Sequence, residues 1–253
     1  DEATPGNPFG GGDWTYVLDP GIDSEFAVEH VVHISVDGAA GWCLKDYVDN
    51  APEWFTNLVR LRDEGATTLN ARCDHEVSVT LPNHSSMFTG RPVRQPKGWT
   101  NTLHHGLTID SDNGTTLHDP RTGNTNVSYQ ASVFDVVHDH GLSTAFLCGK
   151  QAMMIFVRSW DAAHGAADVT GPDNGSNKID FPSPPPNETS YGPSAPVVSH
   201  FVKAVEPNRL WTYTFIHLED PDAAGHARRW GSSGYSNGVF IADGQIGRVL
   251  HAI

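Results

Sequence analysis

The sequence predicts an α/β domain, with a mixed, mainly parallel sheet sandwiched between helices. Three observations carry this. Apolar runs of strand length stand at 30–36, 143–148 and 211–218, the pattern of strands covered on both faces. Stretches with apolar residues at helical spacing separate and follow them, at 51–64, 132–140, 196–205 and 236–253. Acidic residues directly follow two of the strands, Asp37-Gly38 and Glu219-Asp220-Pro221-Asp222. The carboxyl ends of strands are where open α/β sheets build their sites. A chain of 253 residues is long enough to bury one substantial core.

Residues 1–29 are rich in Gly, Pro and Asp and read as an extended lead-in to a domain spanning 30–253. The strand 30–36 ends at Asp37-Gly38, a pair that is also common as a plain turn. Helix 51–64 places Trp54, Phe55, Leu58, Val59 and Leu61 on its apolar face and stops at Gly65. A second strand is expected at 66–73, leading into the stretch Val77 to Gly90. There Val77-Ser78-Val79 delivers Thr80 to a turn, and Pro82 opens a short helix where its missing N–H costs nothing. That helix ends at Gly90, with Pro92 beyond it. Thr80 is therefore expected where free backbone N–H groups converge, a place suited to a phosphoryl or other anionic oxygen. The blander reading is that Thr80 or Asn83 merely caps the helix.

Two long irregular stretches, about 91–130 and 165–196, are expected to form loops or a small cap over the site. Between them, helix 132–140 and strand 143–148 run to Gly149-Lys150, where Lys150 is either a surface lysine or a substrate contact. The last helix carries Val239, Ala242, Ile246, Val249, Leu250 and Ile253 on one face. No internal repeat is present.

Composition narrows the function. Acidic residues outnumber basic ones 30 to 16, for a net charge of −14, which argues against a surface that holds nucleic acid by its phosphates. An acidic chain that handles anions needs local positive charge, and with 14 histidines bound metal is the natural source. No apolar run reaches membrane-spanning length. Cys43, Cys73 and Cys148 form no C-x-x-C pair, and their odd number leaves one over even if a disulfide forms. The start, Asp1-Glu2-Ala3, reads as a mature terminus after signal removal or as the boundary of a piece. A secreted or periplasmic location follows from the first of these. Glycosylation triplets at Asn113, Asn126, Asn174 and Asn187 are frequent by chance in such loops.

Asp222 and His226 stand four residues apart after a strand, with Gly225 expected to let the backbone turn between them. A carboxylate and an imidazole at that separation can share one metal ion. Alone, the pair reads rather as a surface Asp and a capping His. Together with Asp37 and Thr80 it gains weight. The set Val36-Asp37-Gly38, Thr80-Leu81-Pro82-Asn83-His84 … Thr89-Gly90 and Glu219-Asp220-Pro221-Asp222 … Gly225-His226 resembles the alkaline phosphatase superfamily, in particular its nucleotide pyrophosphatase/phosphodiesterase branch. His105-Gly106, Asn113 and Asp119-Pro120 look like that branch as well. The likeness covers about residues 30–253.

The resemblance implies two zinc ions bridged by the reacting phosphoryl group, Asp37 and Thr80 binding one and Asp222 and His226 the other. It implies that Thr80 is the nucleophile and that Asn83 donates to a phosphoryl oxygen. It implies hydrolysis of small phosphoric esters, with diesters or nucleotide pyrophosphates favoured. A monoesterase or phosphonate hydrolase on the same scaffold comes second. Sulfatase chemistry fits less well, because Thr80-Leu81-Pro82-Asn83 replaces the modifiable Cys or Ser with Pro and Arg behind it. The family completes its sites with a later strand ending in Asp-His-Gly and a further His. Here the chain stops on the helix expected before that strand, so the resemblance implies a domain incomplete at its C-terminus, with three ligands beyond residue 253. Asp139-His140-Gly141 ends a helix and is read as a decoy, and so is Asp74-His75. The rival from another class is a non-catalytic protein that binds one metal weakly or none.

Overall fold

The computed structural model describes residues 28–74, 76–95, 97–98, 104–122, 128–171, 175–184, 193–205 and 210–253. Of the expected lead-in, only residues 28 and 29 are among them. Four strands form one sheet: β1 (Val31–Val36), β2 (Thr144–Leu147), β3 (Phe181–Ser183) and β4 (Tyr213–Leu218), in the order β1-β4-β2-β3. Every described pairing is parallel. In register, Val36 faces Leu218 and Leu147 faces Ile216, so three strands end at nearly one level. The Asp37 N–H continues the ladder onto the Leu218 carbonyl at 2.9 Å. The segments that follow Val36, Leu147 and Leu218 thus leave from the same sheet edge.

The helices are α1 (Gly41–Asn50), α2 (Thr56–Glu64), α3 (Thr80–Thr89), α4 (Val133–Asp139), α5 (Met154–Ser159), α6 (Ser194–Val205), α7 (Asp220–Arg228) and α8 (Ser233–Ala252). Alternation along β4 sends Tyr213 and Phe215 to one face and Ile216 and Leu218 to the other. Over the first face an aromatic cluster from α3, α4 and α5 packs around Phe88, whose ring centre lies 4.7 Å from that of Phe215. Over the second, Val197, Val198 and Phe201 of α6 meet Ala242, Ile246 and Val249 of α8. The apolar face expected at 236–253 is the one α8 buries, apart from Ile253, which is exposed.

Local signals explain some boundaries. Ser132 caps α4 in a reciprocal box with Asp135, and Gly90 closes α3 with φ of 65°. The expected strand at 66–73 is irregular. Its Leu69 is exposed, and a strand with nothing to pack on gains little from β propensity. The expected helix 51–64 begins only at Thr56, after a turn. All three cysteines are free, so no disulfide forms. Among the described residues no helix is long and apolar enough to cross a membrane.

The start of α2 has no side-chain cap of its own. Asp243, buried on α8, supplies one by accepting from the Leu58 N–H (2.7 Å), the Asn57 side-chain amide (2.8 Å) and the Asn57 N–H (3.4 Å). Asp243→Ala leaves those donors unpaired at a helix end, and is expected to cost about 2–3 kcal/mol. Urea unfolding checks this; a loss below about 0.5 kcal/mol, the scale of ordinary surface changes, would refute the capping role.

Candidate active site

At the carboxyl edge of the sheet lies a cavity of about 480 Å³, whose walls include Asp37, Thr80, Asn83, His84, Asp110, Asp222, His226 and Trp230. Asp37 follows β1, Lys150 follows β2, and Asp222 sits in the first turn of α7 after β4. Thr80 is the first residue of α3 and donates its hydroxyl to Asp37 Oδ2 at 3.1 Å. Lys150 Nζ lies at the centre, donating to Asp37 Oδ2 (2.9 Å), Thr80 Oγ1 (3.0 Å) and Asp222 Oδ2 (2.8 Å). Residues 113, 70 and 72 positions away in the chain thus meet one ammonium.

Electrostatics follow from these contacts. Burial alone would raise the Asp37 pKa, but the hydrogen bond from His217 and the Lys150 ammonium pull it well below the ordinary carboxylate range. Burial would lower that of Lys150, yet its bonds to Asp222 and Asp37 raise it. Burial is also the main reason that His84 is pushed down to about 4.

The sequence matches the type I phosphodiesterase / nucleotide pyrophosphatase family over residues 31–253, a span that takes in every residue just described. The chain belongs to this family. Its fold is similar to that of murine ectonucleotide pyrophosphatase/phosphodiesterase 5, at a TM-score of 0.54 and 15% identity over 88% of this chain and 52% of that one. It is also similar to phosphonoacetate hydrolase from Sinorhizobium meliloti in complex with phosphonoformate, at 0.54 and 18% over 89% and 54%. The chain therefore spans about half the length of these solved structures, and at such identity the likeness is one of fold. No curated protein sequence matches.

Against the family motifs, several side chains behave differently from expectation. Residues 220–228 form α7, so Asp222 and His226 share one helical face rather than flanking a tight turn. Gly225 serves a neighbour instead: a Cβ there would lie 2.4 Å from the Trp230 ring. His226 Nε2 is 3.4 Å from Asp222 Oδ1, and its side chain is 71% exposed, so the helix holds it at the cavity rim. The start of α3 is not an open set of donors. Leu81 N–H is taken by Asp110 Oδ1 at 2.8 Å, Pro82 has none, and Asn83 N–H bonds to the Val79 carbonyl at 3.3 Å. The Asn83 carboxamide accepts from Asp74 N–H (2.8 Å) and donates to the carbonyls of Val77 (3.3 Å) and Val79 (2.8 Å), so it shapes the loop that lines the cavity.

Asp139 lies at the opposite edge of the sheet, before β2, and ties down the loop at Thr170 through that residue's N–H (2.8 Å) and hydroxyl (2.6 Å). Asp74 accepts from Glu76 and Val77 N–H, each at 2.9 Å; His75 lies outside the described residues. Sequence reasoning assigned no role to Asp110 or His217, nor to His84 within its motif. Asp110 sits in an irregular loop that offers no periodic signal, whereas His217 stands inside an otherwise apolar strand, and that exception was visible.

Among the described residues no group of three or more His, Cys, Asp or Glu is placed to hold a metal ion. What they do show is two carboxylate oxygens and a hydroxyl oxygen turned onto one cationic atom. Such a donor set fits a cation, while leaving a zinc site short of the three protein ligands usual in catalysis.

Proposed function

We propose that this chain carries the nucleophile of a zinc-dependent hydrolase of phosphoric esters, acting on phosphodiesters or nucleotide pyrophosphates through a covalent intermediate on Thr80. One observation carries the reading: Thr80 Oγ1, Asp37 Oδ2 and Asp222 Oδ2 converge on a single cationic atom beside an open cavity. Asp37 with Thr80, and Asp222 with His226, would hold the two ions, other ligands completing each set. Zinc in those places supplies Lewis-acid charge to the attacking and leaving oxygens.

The chain's own residues account for the rest. The Thr80 hydroxyl proton points at Asp37 Oδ2, and one lone pair of its oxygen accepts from Lys150. Loss of that proton along the Asp37 hydrogen bond to solvent frees a further lone pair for phosphorus. Attack forms the Thr80 Oγ–P bond and breaks the P–O bond to the leaving group, which departs as an alkoxide or phosphate anion and takes its proton from water; a second water later cleaves the phosphothreonine ester. Lys150 offers its ammonium to the non-bridging phosphoryl oxygens. Asn83 lines the same cavity, and turning its amide toward substrate requires release of the Val77 or Val79 carbonyl.

The family match supports phosphoester hydrolysis. So does the murine relative, which is also known as an inactive form with one threonine replaced by alanine, in complex with AMP. That relative's ecto- designation supports a secreted or periplasmic location. The second reading is phosphonate hydrolysis, favoured by the likeness to phosphonoacetate hydrolase and by an ammonium able to meet a substrate carboxylate. Purified protein, stripped by chelator and reloaded with zinc, decides between them on a nitrophenyl phosphodiester, nitrophenyl phosphate and phosphonoacetate. Zinc-restored turnover of the diester above the other two is expected. Preference for phosphonoacetate would establish the second reading, and no turnover of any, with or without zinc, would refute both.

A further inference from the structure

Strand β4 is buried along its whole length, and five of its six residues are apolar or small. The sixth is His217, with no exposed surface. A buried imidazole costs stability unless its polar atoms are bonded. Its Nε2 lies 3.3 Å from Asp37 Oδ2, while its Nδ1 meets no partner among the described residues. Only an N–H can bond to a carboxylate oxygen, so the proton belongs on Nε2 and Nδ1 is left bare. A core position that needed only volume would take a Phe or Leu and carry no orphaned nitrogen. The contact with Asp37 is what this ring contributes.

We propose that His217 is a positioning residue, whose Nε2–H holds the Asp37 carboxylate in the orientation that turns Oδ2 to Thr80 and the shared cation position. The inference rests on the cation reading above and deepens it. A second buried ring keeps the arrangement in place. His84 lies 5.2 Å from His217, ring centre to ring centre. Its Nδ1 is 2.8 Å from the Thr80 carbonyl, and its Nε2 is 2.8 Å from the hydroxyl of Ser35, which pairs with His217 across the sheet. The same layer beneath the cavity therefore fixes both partners of the Thr80–Asp37 hydrogen bond. His84 does so through the Thr80 backbone and His217 through the Asp37 side chain.

Two measurements test this. In the metal-free protein, a nitrogen–proton correlation spectrum of the imidazoles should show His217 as the Nε2–H tautomer; an Nδ1–H tautomer would overturn the proposal. Zinc affinity by calorimetry is the second. His217→Phe keeps the volume and removes the donor, and should weaken binding by about tenfold or more, the usual effect of removing a partner that orients a ligand. His217→Gln, whose amide N–H can reach the Nε2 position, should stay within about threefold of the unaltered protein, while His217→Asn, too short to reach Asp37, should behave like the Phe variant. If the Phe variant does not fold, the Gln–Asn pair decides the matter. Equal zinc affinity in all folded variants would overturn the role of His217 alone. Failure of the unaltered protein to take up zinc would overturn the cation reading and this one with it.

Discussion

Thr80→Ala is expected to lower turnover of a nitrophenyl phosphodiester by about 10⁴-fold or more, the scale on which loss of a covalent nucleophile is felt. Little else should change. Thr80 is the first residue of α3, its hydroxyl bonds to Asp37 and Lys150 rather than to the helix backbone, and alanine suits a helix better than threonine does. Asp37 and Asp222 keep their contacts with Lys150. The variant should therefore melt within a few degrees of the parent while losing its chemistry. Thr80→Ser keeps the hydroxyl but frees its rotamer, and should keep a measurable part of the rate. Acid-quenched reactions should show the mass of the phosphoryl or nucleotidyl group on the Thr80 peptide in the parent and Ser proteins only. An Ala variant within tenfold of the parent, or an unlabelled peptide in the parent, would remove Thr80 from the mechanism.

Why some of this site was legible in the chain, and some not, has a physical basis. The strands 30–36, 143–148 and 211–218 stand out because helices cover both faces, so most side chains along them are apolar or small. Asp37 and Asp222 are legible because they follow such runs directly. β3 escapes notice: three residues, Phe-Pro-Ser, are too few for a period. α1 escapes as well, since only Cys43 and Val48 are buried along it. At 219–226, Asp-Pro and Gly read as turn signals, whereas Pro221 is a good second residue of a helix and Gly225 makes way for Trp230. The central fact of the site is the least legible. A lysine at a strand end has no local mark that shows it will touch residues 113 and 72 positions away, and the same holds for His217 and Asp37, 180 apart. Those contacts come from strand order, which only long-range pairing decides.

Gly38→Ala should be the most damaging glycine substitution among those lining the candidate site. Gly38 links Asp37 to the rest of the site at φ of 70°, a conformation that costs an L-residue about 1–2 kcal/mol. The larger effect is steric. A Cβ at this position would lie 2.5 Å from the Asp222 Cα and 2.7 Å from its backbone nitrogen, so one of two main chains has to move. Neither is free to do so. The Gly38 carbonyl accepts from Trp230 Nε1 (3.1 Å) and the Tyr235 hydroxyl (2.8 Å), and Asp222 is in the first turn of α7. Adding about 1–3 kcal/mol for overpacking, the total loss should be about 2–5 kcal/mol, or roughly 4–20 °C in Tm for a domain of this size. Activity should fall beyond what stability explains, because displacing Asp222 by about 1 Å from Asp37 and Lys150 is enough to cost on the order of 10²-fold. Gly90→Ala provides the control. Gly90 has nearly the same backbone, φ of 65°, but nothing lies within 4 Å of its added Cβ, so only the conformational cost applies, about 1 kcal/mol. Thermal melts and turnover of the two variants, measured side by side, should separate them clearly. Equal losses would mean that the close approach of Gly38 to Asp222 does not hold the site together.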